Sequence, residues 1–565
     1  MANKVFVIGL DGATLDLIEP WAREGKLPTF RRLMEEGSWG TLWCPTPPIS
    51  PQSWASFATG KNPGKHGFID FIEMTPNSYT TRFVNSRMRA GKSLWRLLSE
   101  QGRSVGVLNV PITYPPEAVN GFMVAGYLSP GRSSPFVYPA ELRKELLAAV
   151  PHYVIDCGDI ELPRLSRRDR RTAYVERVLA MMEGRRAATR WLYERYRPDF
   201  FMATFTAFDR ICHYFWKYMD PAVRGHFTDE EIERYGDAIL RVHVRQDEII
   251  AELLEMIEPG TTVFMMSDHG FGPSYKRLNL QRWLVEEGFL TLKRTRPGPI
   301  GRLINAVISA SVRFTPIQFR HLIKEKFPSL AARAMSRVYF QGIDWSRTRA
   351  YAVGEIRSLF INLKGRQPQG IVEPSEYEAV RDELIAKLTA LREPETGPST
   401  GLGAGEPVVD KVWRREELYS GEYVWKMPDL LVDWHEYKYS FIPDFDEGPL
   451  VSSILDSASL QWDRNGFHRP NGVFFAWGKD IRRGARVEGV VMDATSTILY
   501  EMGFAVPADM DGRVITGAYV PERIESDPPR TGDLDTSAKA DSADVYSTEE
   551  ARRVSKQLRD LGYLE

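Results

Sequence analysis

The stretch Val5-Phe6-Val7-Ile8-Gly9-Leu10-Asp11-Gly12 decides the fold. Its apolar run has the length of a strand buried on both faces, as in a parallel sheet, and Asp11-Gly12 is a turn signal that closes it. The elements that follow alternate. Pro28 to Glu36 reads as a short helix stopped by Gly37, and Gly91 to Glu100 as another. The apolar run Ser104–Val110 comes next, then the short run Phe122–Ala125. Helix and buried strand in repeated succession predict an α/β fold with a doubly wound, mostly parallel central sheet.

Further along, Pro139 to Trp191 is helical text with a basic break around Ser166–Arg170. Phe200 to Phe208 reads as a strand that delivers Asp209, and Asp229 to Ile257 as one long outer helix. Thr261 to Met266 is the next buried run and delivers Asp268-His269. Between Lys293 and Arg349, twelve Lys/Arg face two acids, Glu325 and Asp344, which reads as a basic helical insertion. Strand text returns at Leu359–Leu363 and Leu430–Trp434, a helix at Ser375–Leu391, and a last core strand at Gly472–Trp477. The tail from Pro521 to Asp544 reads as a linker. It ends in a helix with a Ser547/Glu550 capping box and an apolar stripe of Val554, Leu558 and Leu561 that clips back onto the body. The expected organisation is a catalytic core in two parts, 1–292 and 350–520, around the insertion 293–349, followed by linker and clip helix, 521–565.

Composition narrows the class. The 565 residues are 43% hydrophobic and 26% charged, which excludes global disorder and a fibrous repeat. With 73 Lys/Arg against 75 Asp/Glu the net charge is −2, so no overall basic field points to nucleic acid. Three widely spaced cysteines, Cys44, Cys157 and Cys212, form no disulfide framework. No signal peptide or spanning segment is legible, and the expected location is cytoplasmic.

Acids and histidines fall where chemistry needs them. Asp11, Asp209 and Asp268-His269 follow apolar runs, His213 stands four residues after Asp209, and His468 precedes the Gly472–Trp477 run. In a parallel sheet the strand C-termini share one edge, where ligands bind, so these distant residues converge there. Taken singly, an Asp after a strand is a turn former or helix cap. Together, carboxylate and imidazole suit zinc, with manganese or iron as alternatives. His152, His226, His243, His321 and His435 lack such a setting and read as surface or packing residues.

The segment Pro45 to Gly67, PTPPISPQSWASFATGKNPGKHG, is the second signal. Prolines lead into Ser50 and a short helical stretch closed by Thr59-Gly60. A hydroxyl at a helix N-terminus either caps or serves as a nucleophile whose anion the helix amides stabilise. Ser50, Ser53 and Ser56 all stay open on spacing alone. Arg210 and Lys61 adjoin these motifs as oxyanion clamps or, more plainly, as ion-paired side chains.

The segments VIGLDG to Gly12, PPISPQSW with TGKNPGKHG, DRICH from Asp209, SDHGFGP from Ser267, GFHRPNG from Gly466 and the later DATSTILY and DGR occur in one order. In this they resemble the alkaline phosphatase superfamily, specifically its type I phosphodiesterase/nucleotide pyrophosphatase-like branch. The resemblance implies an alkaline phosphatase-like fold with helical insertions and a site for two metal ions, usually zinc. It implies Asp209, His213 and His468 on one metal, Asp11, Asp268 and His269 on the other, and Ser50 as nucleophile, with His66-Gly67 outside the ligand set. Proline falls one position earlier after Ser50 than in many relatives. The implied activity is hydrolysis of phosphodiester or nucleotide-type pyrophosphate bonds through a phosphoseryl intermediate. Phosphomonoesterase or mutase-like phosphotransfer is the alternative. The Cys44 and Ser50 segments lack the arginine of a sulfatase motif, and a binding protein on the same scaffold would have lost a ligand. The expected partner is an anionic phosphorylated small molecule or glycan, with the basic insertion as a wall that attracts it or as a solvated cap. No membrane contact is expected.

Overall fold

The computed structural model describes residues 3–159, 167–293, 340, 342–353, 358–393, 405–441, 449–454, 464–541 and 545–560. Most of the basic insertion, and Leu561, lie outside them.

Among the described residues nine strands form the central sheet: β1 (Val5–Leu10), β2 (Ser38–Trp43), β3 (Val105–Leu108), β4 (Gly121–Val124), β5 (Val137–Tyr138), β6 (Phe200–Phe205), β7 (Thr262–Met266), β8 (Asn471–Trp477) and β9 (Ala485–Val490). Their order across the sheet is β9-β2-β8-β7-β1-β6-β3-β4-β5. All run parallel to β1 except β8, antiparallel to β7 and β2, and the edge strand β5. β1 lies between β6 and β7, with Val5 level with Phe200 and Thr262. Every residue of β1 is buried, as its unbroken apolar run requires. The alternation of a strand divides that burial between two cores. Phe6, Ile8 and Leu10 face a core shared with the helices Pro28–Glu36, Arg167–Tyr196, Ala207–Met219 and Ala238–Met256. Val5 and Val7 face the other, shared with the helices Ser50–Thr59, Leu94–Glu100 and Val491–Glu501. The sheet is therefore doubly wound and mostly parallel.

A separate apolar cluster belongs to a smaller antiparallel sheet, ordered Ala350–Val353, Ser358–Ile361, Leu430–Trp434, Val409–Arg414, against the helix Tyr377–Thr389. Two more pieces join it to the central sheet's edge. One is a three-stranded sheet of Tyr439–Phe441, Lys276–Leu278 and Val451–Ser453. The other is a ribbon in which Gly270–Pro273 pairs with Gly466–Arg469, setting Phe271 opposite His468.

Several sequence expectations change here. The helix expected over Asp229–Ile257 is two, Asp229–Tyr235 and Ala238–Met256, divided at Gly236. Asp209 sits in the first turn of the Ala207–Met219 helix rather than at the strand's end. Gly472–Trp477 does not close the sheet, because β9 follows it, and β2 carries no reading above. Ser166–Arg170 makes no break from Arg167 onward, where the long helix starts. The segment read as linker contains the helix Pro521–Ser526, and Thr531–Gly532 pairs with Val506–Pro507. The terminal helix, Thr548–Asp560, has the expected reciprocal Ser547/Glu550 cap and buries Val554 and Leu558. Among the described residues no helix is long and apolar enough to cross a membrane.

Candidate functional site

One edge of the sheet collects the chemistry. Asp11 follows β1, Ser50 follows β2, Asp209 follows β6, and Asp268-His269 follow β7. Strand β8 runs the other way, so the residues before it share that edge, and His468 arrives there ahead of its strand. Gly12 makes the crossing of β1 possible: its φ is +74°, and a Cβ there would lie 2.9 Å from the Asp209 Cα.

Two groups of ligand-type atoms result. Asp209 Oδ1, His213 Nε2 and His468 Nε2 form a triangle with sides of 3.1 to 3.2 Å. Ligands held about 2.0 Å from a tetrahedral ion stand about 3.3 Å apart, so this spacing suits one cation. Asp11, Asp268 and His269 form the second group, all buried, with His269 Nε2 3.3 Å from Asp268 Oδ2 and 3.8 Å from Asp11 Oδ1. His269 also lies within reach of Asp209 and His468, and its ring stacks on His468 at 3.7 Å. All six expected ligands thus meet.

The atoms around them are arranged for cations. Each histidine sets Nδ1 on a backbone carbonyl: His213 on Gly466 at 2.9 Å, His269 on Gly270 at 3.0 Å and His468 on Pro48 at 3.0 Å. A carbonyl only accepts, so in His269 and His468 Nδ1 carries the proton and the Nε2 lone pair faces the cluster, whereas His213 also meets the Arg464 guanidinium, whose Nε donates to Nδ1 at 3.0 Å. Each carboxylate gives one oxygen to the protein. The Trp54 indole donates to Asp11 Oδ2 at 3.0 Å, the Gly12 amide to Asp268 Oδ1 at 3.3 Å, and Arg210 to Asp209 Oδ2. The other oxygens of Asp11 and Asp268 are buried without a hydrogen-bond partner among the described residues. Orphaned buried carboxylate oxygens beside imidazole lone pairs fit divalent metal ions.

Titration points the same way. Burial, then the charges of Asp268 and Asp209, holds the Asp11 carboxyl well above the usual range. Burial, then Asp209, pushes Asp268 up to about 8. For Asp209 burial is outweighed by His213 and Arg210, which hold it well below the usual range. Burial and Arg464 lower His213 to about 4, and burial and His269 lower His468 well below its ordinary value. Buried acids that resist ionisation beside histidines that resist protonation suit positive charge held between them.

Of the three candidate hydroxyls, Ser50 reaches the cluster. Its Oγ is 3.1 Å from His269 Nε2, in the first turn of the buried Ser50–Thr59 helix. Ser56 instead pairs with His66 Nε2 at 2.9 Å, while His66 Nδ1 accepts from the Phe68 amide. Ser53 lies beside Cys44. Pro51, at the second helical position, removes one amide that the first turn would otherwise leave open, and the Ser50 and Gln52 amides remain. Gln52 Nε2 donates to the Pro45 and Pro47 carbonyls, and Tyr419 donates to Gln52 Oε1, which fixes the proline loop ahead of Ser50.

Neither expected clamp stands free. Arg210 is buried between Asp209 and Asp156 and lies over the Tyr127 ring, while Lys61 pairs with Asp509 at 2.6 Å and Thr536 at 2.7 Å. Trp54, Gln52, Asp156 and Arg464 are the residues that sequence reasoning missed. Trp54 alone had a signal, its place four residues after Ser50 on one helix face. Arg464 Nη2 lies 2.8 Å from His213 Nε2.

Two solved structures of phosphonoacetate hydrolase from Sinorhizobium meliloti 1021, with phosphonoacetate and with phosphonoformate, each show 14% identity over 89% of this chain and 95% of theirs, at TM-scores of 0.47 and 0.48. No curated protein sequence matches the chain. The family described as type I phosphodiesterase / nucleotide pyrophosphatase matches residues 5–446, more than three quarters of the whole. That extent, running from the first strand through the smaller sheet, makes the chain a member of the type I phosphodiesterase / nucleotide pyrophosphatase family.

Proposed function

We propose that the chain is a two-metal hydrolase of phosphate esters, cleaving phosphodiester or nucleotide-type pyrophosphate bonds through a phosphoseryl intermediate on Ser50. The observation that carries this reading is the Ser50 hydroxyl, 3.1 Å from His269 Nε2 and beside two clusters of ligand-type atoms. Asp209, His213 and His468 would hold one cation and Asp11, Asp268 and His269 the other. Zinc is the first choice for this donor set, with manganese or iron as alternatives. Bound there, two divalent ions supply Lewis-acid stabilisation of the serine alkoxide, the phosphoryl oxygens and the departing oxygen.

The chain's own residues do the rest. The buried first turn of the Ser50–Thr59 helix presents the Ser50 and Gln52 amides to an anion. Trp54, Arg210 and the Gly12 amide each hold one carboxylate oxygen, so that the other stays aimed into the cluster. Ser50 Oγ loses its proton and bonds to phosphorus as the bond from phosphorus to the ester oxygen breaks, and that oxygen takes up a proton and leaves as the alcohol. Water then adds to the same phosphorus, the Ser50–phosphorus bond breaks, and the hydroxyl regains a proton.

A substrate panel with and without chelator tests the proposal: an aryl phosphomonoester, an aryl phosphodiester, a nucleoside triphosphate and a sulfate ester. Turnover of the diester or of the nucleotide is expected, lost on chelation and restored by metal. Ser50→Ala is expected to lose on the order of 10³-fold or more in kcat while elemental analysis still finds two metals per chain. Diester turnover that persists in Ser50→Ala removes the nucleophile assignment, and turnover of the monoester alone moves the activity to a phosphatase.

A further inference from the structure

A cleft opens directly beside the cluster. Ile49, next to Ser50, and His468 belong to its wall, so a group attached to phosphorus at Ser50 has this space within reach. The rest of the wall comes from the proline loop before Ser50, from the smaller sheets and from Arg464 and Phe467 at the ribbon, and its rings are Trp434, Tyr437, Tyr439, Phe441 and Phe467. Its surface is overwhelmingly apolar.

The polar atoms on this wall are nearly all spoken for. The Tyr439 hydroxyl donates to Glu393, which also pairs with Lys276 at 2.9 Å. The Tyr437 hydroxyl faces Asp433 at 3.5 Å. Phe441 and Trp434 meet edge to face with centroids 5.1 Å apart, and the Arg464 guanidinium covers the Phe467 ring at 5.1 Å. One donor is spare: the Trp434 indole nitrogen is buried without a hydrogen-bond partner among the described residues. A sugar or nucleoside brings many hydroxyls and ring nitrogens, and desolvating each against such a wall is costly. An apolar ring leaves few polar atoms unpaired and gains from aromatic contact.

Building on the phosphate-ester reading, we propose that this cleft receives an apolar, ring-bearing ester group of the substrate and selects it over sugars and nucleosides. The smaller sheet is then the specificity element, and the central sheet supplies the chemistry. Calorimetry on the metal-replete protein tests this without turnover, using phenylphosphonate, methylphosphonate and adenosine 5′-monophosphate. Phenylphosphonate is expected to bind at least tenfold more tightly than methylphosphonate. The ratio should fall to about threefold or less in both Trp434→Leu and Phe441→Ala. The second variant alters a partly exposed edge position, so it gives the answer if the first does not fold. Equal affinity for the two phosphonates overturns the proposal, as does a ratio that survives both substitutions. Tighter binding of the nucleotide, weakened by Trp434→Leu, also overturns it. The two readings fail separately. A tenfold ratio without any ester turnover removes the hydrolase and keeps the cleft, whereas ester turnover without the ratio does the reverse.

Discussion

Asp11 illustrates how much of the site is decided one atom at a time. Its Oδ2 takes the Trp54 indole proton at 3.0 Å, which turns Oδ1 toward His269 and Asp268. The types and places of the six proposed ligands were legible, because five adjoin an apolar run and His213 stands one helical turn after Asp209. Their supports were not. Trp54 alone left a trace, four residues after Ser50, whereas Arg210 with Asp156 and the carbonyls under His213 and His468 act across contacts between residues far apart in sequence, which leave no periodicity to read. Groups that orient metal ligands commonly change affinity 10- to 100-fold when removed. Trp54→Phe keeps the ring and deletes the donor, so its metal affinity is expected to fall within that range while the circular dichroism spectrum stays unchanged. Competitive titration with a chromophoric chelator checks it, and affinity equal to wild type would reduce Trp54 to packing.

Elements were legible in proportion to how completely they are buried. β1, β6 and β7 are solid apolar runs and could be placed from sequence, whereas β2 (SWGTLW) is broken by glycine and ends exposed. β9 (ARVEGV) lies at the sheet's edge with charged residues alternating outward, so nothing marks it as part of a core. The direction of β8 was equally hidden, yet it explains why His468 comes before a strand when the acids come after theirs. The terminal helix shows the opposite case, since its capping box and stripe were visible and Leu558 is fully buried in the main core. Leu558→Ala is expected to cost about 2 to 5 kcal/mol of stability without changing metal stoichiometry, measured by denaturant unfolding and elemental analysis. A cost below 0.5 kcal/mol would mean that the helix does not clip the body.

At the scale of the whole molecule, two histidines outside the proposed ligand set bear on how stability depends on pH. His243 is buried in the core against Phe208, with centroids 3.9 Å apart, and edge-on to Trp21, and its Nδ1 lies 2.8 Å from the Ile239 carbonyl. Burial lowers it from 6.5 to about 4. His66, under the Ser50–Thr59 helix, is lowered to about 3 by burial and then by the charges of Arg89 and Lys61. Between the folded and unfolded pKa values the unfolded chain binds a proton that the native protein does not, so stability rises with pH there. Their contribution is therefore complete above about pH 6.5 and shrinks as pH falls toward 4, by about 1.4 kcal/mol per pH unit for each histidine. His243→Phe keeps the aromatic stack and removes one of these protons. The slope of unfolding free energy against pH between 6 and 4.5 is expected to flatten by that one increment, with the protein kept metal-replete so that the ligand histidines do not titrate. A slope identical to wild type would show that His243 is already protonated in the native core.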